Sequence, residues 1–161
     1  MSGSIIARAA LLSASLCFSA GAALAAPVSP FTAMAGSWSG GGVLSTTDGA
    51  QEPLRCRASY DVAGRGDQLL NLRCASDSYS FDLASDVEYR DGMISGSWSE
   101  ASRNASGTIS GRAAGDHVEA AARGDSFSAN LSLTTRGHRQ TVSIRPQGTN
   151  ITAVSLALNR R

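Results

Sequence analysis

The sequence predicts an all-β protein, a single antiparallel up-and-down meander of about ten strands that closes into a β-barrel and carries one disulfide within a hairpin. Apolar side chains recur at every second position through most of the chain, as in strands with one buried face. Turn signals divide these stretches at intervals too short for a crossover helix, so each strand should pair antiparallel with the next. Closure would remove the exposed edges of such a long meander.

The first residues have the features of a secretory signal peptide. Arg8 gives a weakly positive start, residues 9–24 are small and apolar, and Ala23-Leu24-Ala25 fits a small-x-small cleavage site. We therefore expect a signal peptide at residues 1–25, an N-terminal lead-in at 26–35 and the barrel domain at 36–161. The apolar run is diluted by serines and is too short for a membrane anchor. Leu16 precedes Cys17, whereas a lipoprotein cysteine follows a small residue.

The composition excludes two classes of protein. The 161 residues carry 14 cationic side chains, all of them arginine, against 13 Asp and Glu. This near-neutral balance, with 42% hydrophobic residues, argues against a disordered chain and against an electrostatic nucleic-acid binder. The use of arginine without lysine and the many alanines are typical of a high-GC bacterium. We expect a periplasmic or secreted protein of a Gram-negative bacterium.

Nine turn signals imply ten strands. Each signal places glycine, aspartate, asparagine or serine between two alternating stretches, as hairpin turns require. In chain order they are Asp48-Gly49, Gly64-Arg65-Gly66, Asp77-Ser78, Asp91-Gly92, Asn104, Gly115-Asp116, Gly124-Asp125, Arg136-Gly137 and Gln147-Gly148.

The alternation also predicts which side chains point into the barrel. The candidate lumen lining consists of the large inward residues Tyr60, Phe81, Trp98, Phe127 and Leu131. Small residues share the same phase: Ala58, Gly96, Gly111, Ala120, Ala122 and Ala129. Ten strands lined in this way should leave an apolar cavity, since a wider barrel tends to enclose one. Alternatively, the small residues mark tightly bent corners of a flattened, fully packed barrel.

Two cysteines remain after removal of the signal peptide, and in an exported protein they should be paired. Cys56 and Cys74 are equidistant from Arg65, the centre of a predicted turn. If that turn is the tip of a hairpin, the two cysteines face each other at about 4.5–5.5 Å, within disulfide range. We predict a structural disulfide, because nothing in the sequence favours a reactive thiol.

The same register places Arg57 directly opposite Arg73 on the solvent face, with Arg55 two residues along. Directly opposed like charges are unfavourable. Nearby carboxylates could screen them, the candidates being Glu52, Asp61, Asp67 and Asp77. Alternatively, these three arginines form an anion patch that holds a group such as a lipid phosphate.

The two ends of the barrel domain resemble those of the lipocalin or calycin superfamily. A G-x-W motif, Gly36-Ser37-Trp38, opens the first strand, and Arg160 and Arg161 follow the last. In that superfamily the tryptophan closes one end of the barrel and packs against a C-terminal arginine. The resemblance therefore implies barrel-closing roles for Gly36, Trp38 and Arg160 or Arg161. Ten strands are nearer the fatty-acid-binding or nitrobindin-like members than the eight-stranded lipocalins. The further tryptophans that stack biotin in the avidin branch are missing.

No catalytic or metal-binding arrangement is recognisable in the sequence. His117 and His138 each lie beside a turn glycine, and no H-x-x-x-H or C-x-x-C spacing occurs. We therefore expect no enzyme activity, metal or cofactor. An outer-membrane barrel is not expected either, because the chain has only 6% aromatic residues and ends in Arg161 rather than an aromatic residue.

Two functions fit these observations. The first is a soluble exported β-barrel that binds a small apolar or amphipathic ligand in its lumen. The second is a non-enzymatic interaction module that acts through its loops, either a protease inhibitor or a structural protein of the cell envelope. Bacterial protease inhibitors of eight-stranded barrel form share the early tryptophan and a disulfide, so the resemblance leaves both functions open.

Overall fold

The computed structural model describes residues 29–63 and 67–161 and shows a closed barrel of ten antiparallel strands. Every strand pairs with its neighbours in sequence, and the first strand also pairs with the last. The predicted meander and its closure are confirmed. The strands are β1 Gly36–Thr46, β2 Gln51–Ala63, β3 Asp67–Ala75, β4 Ser80–Arg90, β5 Met93–Glu100, β6 Ala105–Ala114, β7 His117–Gly124, β8 Ser128–Arg136, β9 Arg139–Gln147 and β10 Ile151–Arg160.

Two short helical segments interrupt the strands. The helix α1, Phe31–Met34, precedes β1, and a 3-10 turn, Ala101–Arg103, joins β5 to β6. No helix in the described ranges is long and apolar enough to cross a membrane. The expected signal peptide at residues 1–25 lies outside the described residues, as does the predicted turn at 64–66.

The β4–β5 hairpin shows how local sequence produces the turns. Arg90 pairs with Met93, which leaves a two-residue loop. Both loop residues adopt positive φ, 50° at Asp91 and 84° at Gly92. A type I′ turn requires this conformation at both central residues, and Asp-Gly is one of the sequences that adopt it most readily.

The apolar phase of each strand faces the interior. Leu44, Leu54, Leu156 and Leu158 on β1, β2 and β10 are at most 4% exposed and belong to the core. The outer face is mostly polar or small, and the exposed large hydrophobic residues in the described ranges are Val43, Leu69 and Met93. The alternation in the sequence therefore places the dry side of the sheet inside the barrel.

The β2–β3 hairpin has the predicted register. Cys56 lies directly opposite Cys74, with a Cα–Cα distance of 4.1 Å, and the two form a disulfide. Both cysteines are buried. The next pair along the hairpin brings Arg57 opposite Arg73 on the outer face. The predicted disulfide is confirmed.

Some of the small inward residues serve the curvature of the sheet. A Cβ atom on Gly96 would collide with the carbonyl oxygen of Asp86 on β4, and one on Gly111 with the carbonyl oxygen of Glu119 on β7. The neighbouring strand approaches these positions too closely for any side chain. For Gly96 and Gly111, the close approach of the neighbouring strand therefore accounts for the glycine.

Candidate functional site

One end of the barrel is closed by α1. Phe31 and Met34 are buried, and the Phe31 ring packs edge-to-face on Tyr89 of β4 at 6.1 Å. Gln68 of β3 donates a hydrogen bond to the Met34 sulfur, and α1 also contacts β2 and β8. Because these strands lie on different sides of the barrel, α1 must cross its opening. The helix falls within the expected lead-in, where four residues are too few to show helical periodicity.

Trp38 and Arg160 hold this closure together. The Trp38 indole N–H donates a 2.8 Å hydrogen bond to the carbonyl oxygen of Met34. Arg160 pairs with Trp38 across the β1–β10 seam, lies over its ring at 4.4 Å and donates hydrogen bonds to the carbonyl oxygens of Ala33 and Ala35. Gly36 has a φ of 110°, a value that disfavours side chains. The motif residues thus surround the closed end, with Arg160 rather than Arg161 on the tryptophan.

A buried polar cluster lies beneath the closed end. The hydroxyl of Tyr60 donates a 2.7 Å hydrogen bond to Oε1 of Gln140, whose Nε2 donates to the hydroxyl oxygen of Thr135 at 3.1 Å. Burial raises the pKa of Tyr60 far above its ordinary value, although the bond to Gln140 opposes this shift. Tyr60 is thus a neutral structural group. The sequence analysis did not predict a role for Gln140. The available signal was its position two residues before Val142, on the same inward face of the strand.

Inward-facing side chains are more exposed on the β3–β4 side of the lumen than on the side formed by β1, β2 and β10. Inward-facing leucines on β1, β2 and β10 are almost fully buried, whereas Leu70, Leu72 and Leu83 on β3 and β4 remain half-buried. Of the predicted lumen-lining residues, Tyr60 and Trp98 are buried, while the other three are half-buried: Phe81, Phe127 and Leu131. All five face inward, but Tyr60 lies at the closed end with the polar cluster.

Aromatic side chains gather at the end opposite α1, which we call the open end. Tyr79 stacks on Phe81 with 6.4 Å between ring centres, and the guanidinium of Arg103 lies 4.8 Å from the Phe81 ring. Phe127 packs edge-to-face on Trp98 at 5.5 Å. The Asn150 side chain donates a 2.8 Å hydrogen bond to the Tyr79 hydroxyl. The rim of the lumen therefore combines apolar rings with polar groups.

Glu100 is an ionisable side chain buried near this rim. Burial disfavours its charged form, but hydrogen bonds from the backbone N–H groups of Asp82, Ser102 and Arg103 outweigh burial and lower its pKa. Arg103 also approaches it at 3.5 Å. Glu100 thus caps the 3-10 turn and fixes the position of Arg103 over Phe81.

A second concave feature lies on the outer face, over β1, β2 and β3. It is a shallow groove of about 730 Å³, lined by Arg55, Arg57, Arg73 and Arg161 with small residues between them. We call it the arginine groove. It contains all three residues of the predicted anion patch. Arg161 was not among them, because its contact with Ser39 of β1 follows from barrel closure rather than from local sequence.

Neither histidine is among the residues that line the arginine groove or form the aromatic rim of the lumen. His117 is hydrogen bonded to Thr134 at 2.9 Å and approaches Glu119 at 3.4 Å on the outer face of β7. His138 is exposed in the β8–β9 turn. No group of three His, Cys, Asp or Glu side chains in the described ranges is placed to hold a metal ion. Another shallow groove of about 470 Å³ lies over β6–β9, with Arg112 and Arg145 among its lining residues.

Comparisons with known proteins establish similarity of fold. The barrel is similar to the crystal structure of Rv2717c from M. tuberculosis, with a TM-score of 0.65 and 12% sequence identity. The match covers 84% of this chain and 99% of that chain. No protein-family model matches the sequence, and no curated protein matches it. The lipocalin or calycin assignment therefore stays a resemblance, whereas similarity of fold to a solved structure is shown.

Proposed function

We propose that this β-barrel binds a small apolar or amphipathic molecule in its lumen, through the end opposite α1. The observation that carries the proposal is the uneven packing of the interior. Inward leucines on β1, β2 and β10 are buried, while those on β3 and β4 retain exposed surface. Apolar surface left accessible inside a concave wall is the usual lining of a small-molecule site.

The two ends of the barrel differ in a way that supports one route of access. α1, Trp38 and Arg160 occupy the closed end through buried contacts and hydrogen bonds. The open end has the aromatic side chains of Phe81 and Phe127, both half-buried, and the cationic Arg103 over the Phe81 ring. An apolar chain could lie along Leu72 and Leu83, with a polar head at the rim near Arg103. This arrangement favours an amphipathic ligand.

A fluorescent probe tests this site directly. We expect an anilinonaphthalene sulfonate dye to bind the folded protein saturably, with increased emission. Leu83→Trp should weaken dye binding at least tenfold because it fills the lumen opposite Leu72. Ala84→Trp places the same ring on the outer face of β4 and is the matched control. The absence of saturable emission, or equal effects of both variants, would contradict the proposal.

We further propose that the protein is exported to the periplasm or beyond the cell after removal of residues 1–25. The disulfide between Cys56 and Cys74 supports an oxidising compartment, since such bonds are rare in the cytosol. Intact-mass measurement on protein from its native source should give a chain that begins at residue 26. Native mass spectrometry of the same material would also reveal a retained ligand. A chain with residues 1–25 still attached would contradict export by this signal.

We propose a non-enzymatic role. Glu100 and Tyr60, the ionisable side chains buried in the described ranges, are both engaged in hydrogen bonds with neighbouring elements. These bonds account for their burial as part of the fold. The proposal therefore includes binding and release of the ligand but no chemical step.

A further inference from the structure

We propose that the arginine groove is a second binding site, on the outside of the barrel, for a ligand that carries closely spaced phosphate groups. This site is separate from the lumen, because outward and inward residues alternate along the same strands. Arg55 and Arg57 come from β2, Arg73 comes from β3, and Arg161 directly follows β10. Residues distant in sequence thus meet only after the barrel has closed.

The charges in this groove are poorly compensated. Arg57 and Arg73 are directly opposed on neighbouring strands, an arrangement that is unfavourable for like charges. In the described part of the chain, one carboxylate lies within salt-bridge distance of the four arginines, Asp82 at 3.2 Å from Arg73. Glu52, a predicted screening residue, instead accepts hydrogen bonds from Ser76 and Ser78. Anion binding would relieve the remaining repulsion.

The contrast with other arginines on the barrel supports this inference. Arg136 is also directly opposed to an arginine, Arg139, but it makes a 2.6 Å contact with Asp116. Arg90 is likewise engaged by Glu88 at 3.0 Å. Arg55, Arg57 and Arg161 have no such partner among the described residues, although they lie together. The groove therefore gathers three arginines without a carboxylate partner beside Arg73.

The floor of the groove is suited to a polar ligand. Gly40 lines the groove and adds no side chain to it. Ser39, Ser59 and Asn71 supply short polar side chains between the arginines. The Ser39 hydroxyl accepts a 2.8 Å hydrogen bond from Nε of Arg161, which orients that guanidinium along the groove. The long arginine side chains thus surround a surface of small and short polar residues.

Phosphate is the anionic group that matches this arrangement best. Each guanidinium presents planar pairs of N–H donors, and a phosphate monoester offers three acceptor oxygens that can engage more than one guanidinium. A volume of about 730 Å³ leaves room for more than one such group. The phosphates could belong to a lipid headgroup or to a free compound, because both present the same oxygens.

Binding of inorganic pyrophosphate, followed by isothermal titration calorimetry at low salt, tests the site. We expect saturable binding that Arg57→Gln with Arg73→Gln weakens at least tenfold. Arg112→Gln with Arg145→Gln removes the same charge from the other outer groove and should change the affinity less than twofold. Circular dichroism would confirm that both variants are folded. No binding to the wild type, or equal loss in both double variants, would overturn the proposal.

Sedimentation with vesicles distinguishes the two sources of phosphate. If the natural source is a lipid headgroup, vesicles of phosphatidylglycerol and phosphatidylcholine should retain the wild type, and vesicles of phosphatidylcholine alone should not. The Arg57/Arg73 variant should lose this retention. Pyrophosphate binding without retention would assign the groove to a free phosphate compound. Retention unaffected by the Arg57/Arg73 variant would contradict a role of the groove at lipid surfaces. Dye binding in the lumen should be unchanged in this variant, so the two sites can fail independently.

Discussion

The guanidinium of Arg160 lies 4.4 Å from the centre of the Trp38 ring, at the seam where the last strand pairs with the first. The same guanidinium donates hydrogen bonds to the carbonyl oxygens of Ala33 and Ala35, beside α1. The side chain of Arg160 thereby connects the seam between β1 and β10 to α1, which covers the closed end. Trp38 and Arg160 thus hold the closed end together, whereas the proposed ligand route lies at the opposite end of the barrel.

Replacement of Arg160 should destabilise the protein. Arg160→Ala removes a stacking contact with Trp38 and hydrogen bonds from a charged donor, so we expect a loss of about 2–4 kcal/mol. Arg161→Ala is the matched control, because Arg161 is exposed and bonds Ser39, and it should cost less than about 1 kcal/mol. Urea unfolding monitored by tryptophan fluorescence measures both. Equal losses would contradict the assignment of closure to Arg160.

The disulfide should contribute substantially to stability. Cys56 and Cys74 are separated by 18 residues, and closing a loop of this size stabilises a protein by about 3 kcal/mol in the chain-entropy model. Cys56→Ala with Cys74→Ala should therefore lower the free energy of unfolding by about that amount. A thiol reductant should lower the unfolding midpoint of the wild type but not that of the double variant. If the reductant also lowered the unfolding midpoint of the double variant, its effect would not come from this disulfide.

The parts of the fold that could be predicted are those encoded by residues close together in the sequence. Alternation and turn residues act over a few positions, so the strands and the facing cysteines followed from them. The pairing of Arg73 with Asp82 had a usable signal, because the predicted Asp77-Ser78 turn lies midway between them. α1 had no such signal, and Gln140 finds Tyr60 across 80 positions of sequence. Such contacts depend on closure of the barrel.

A side chain at Gly111 should destabilise the protein. Gly111→Ala would force its Cβ atom against the carbonyl oxygen of Glu119, so β6 and β7 would have to separate. Overpacking of this kind typically costs about 1–3 kcal/mol. Ser110→Ala, at the adjacent outward position, should change stability by less than about 0.5 kcal/mol. Thermal unfolding of the two variants compares their stabilities. If Gly111→Ala left the stability unchanged, the strands could separate at no cost.

The bond between Tyr60 and Gln140 should show strong coupling. Tyr60→Phe leaves the buried Oε1 of Gln140 without its donor, which should cost about 1–3 kcal/mol. In a Gln140→Leu background the same substitution should cost much less, because no buried acceptor remains. A double-mutant cycle in urea measures the coupling energy. Additive effects would show that Gln140 finds another donor when Tyr60 is replaced.

Acid should weaken the open end through Glu100. Its pKa is lower in the folded protein than its ordinary value, because backbone N–H bonds outweigh the effect of burial. A carboxyl shifted in this direction stabilises the fold above the pKa of the unfolded chain, about 4.3, and the stabilisation is lost as the pH falls through the folded-state pKa.

Glu100→Gln should therefore be less stable than the wild type at pH 7, by about 1–3 kcal/mol for hydrogen bonds to a charged group. The difference should shrink as the pH falls below about 4.3. Asp48, Glu52 and Asp116 also have lowered pKa values, so the variant should retain part of its acid sensitivity.

Glu88→Gln, which removes an exposed ion pair with Arg90, should cost less than about 1 kcal/mol at pH 7. Urea unfolding at a series of pH values tests this, and a constant difference between wild type and Glu100→Gln from pH 7 to pH 2 would refute the ionic role of Glu100.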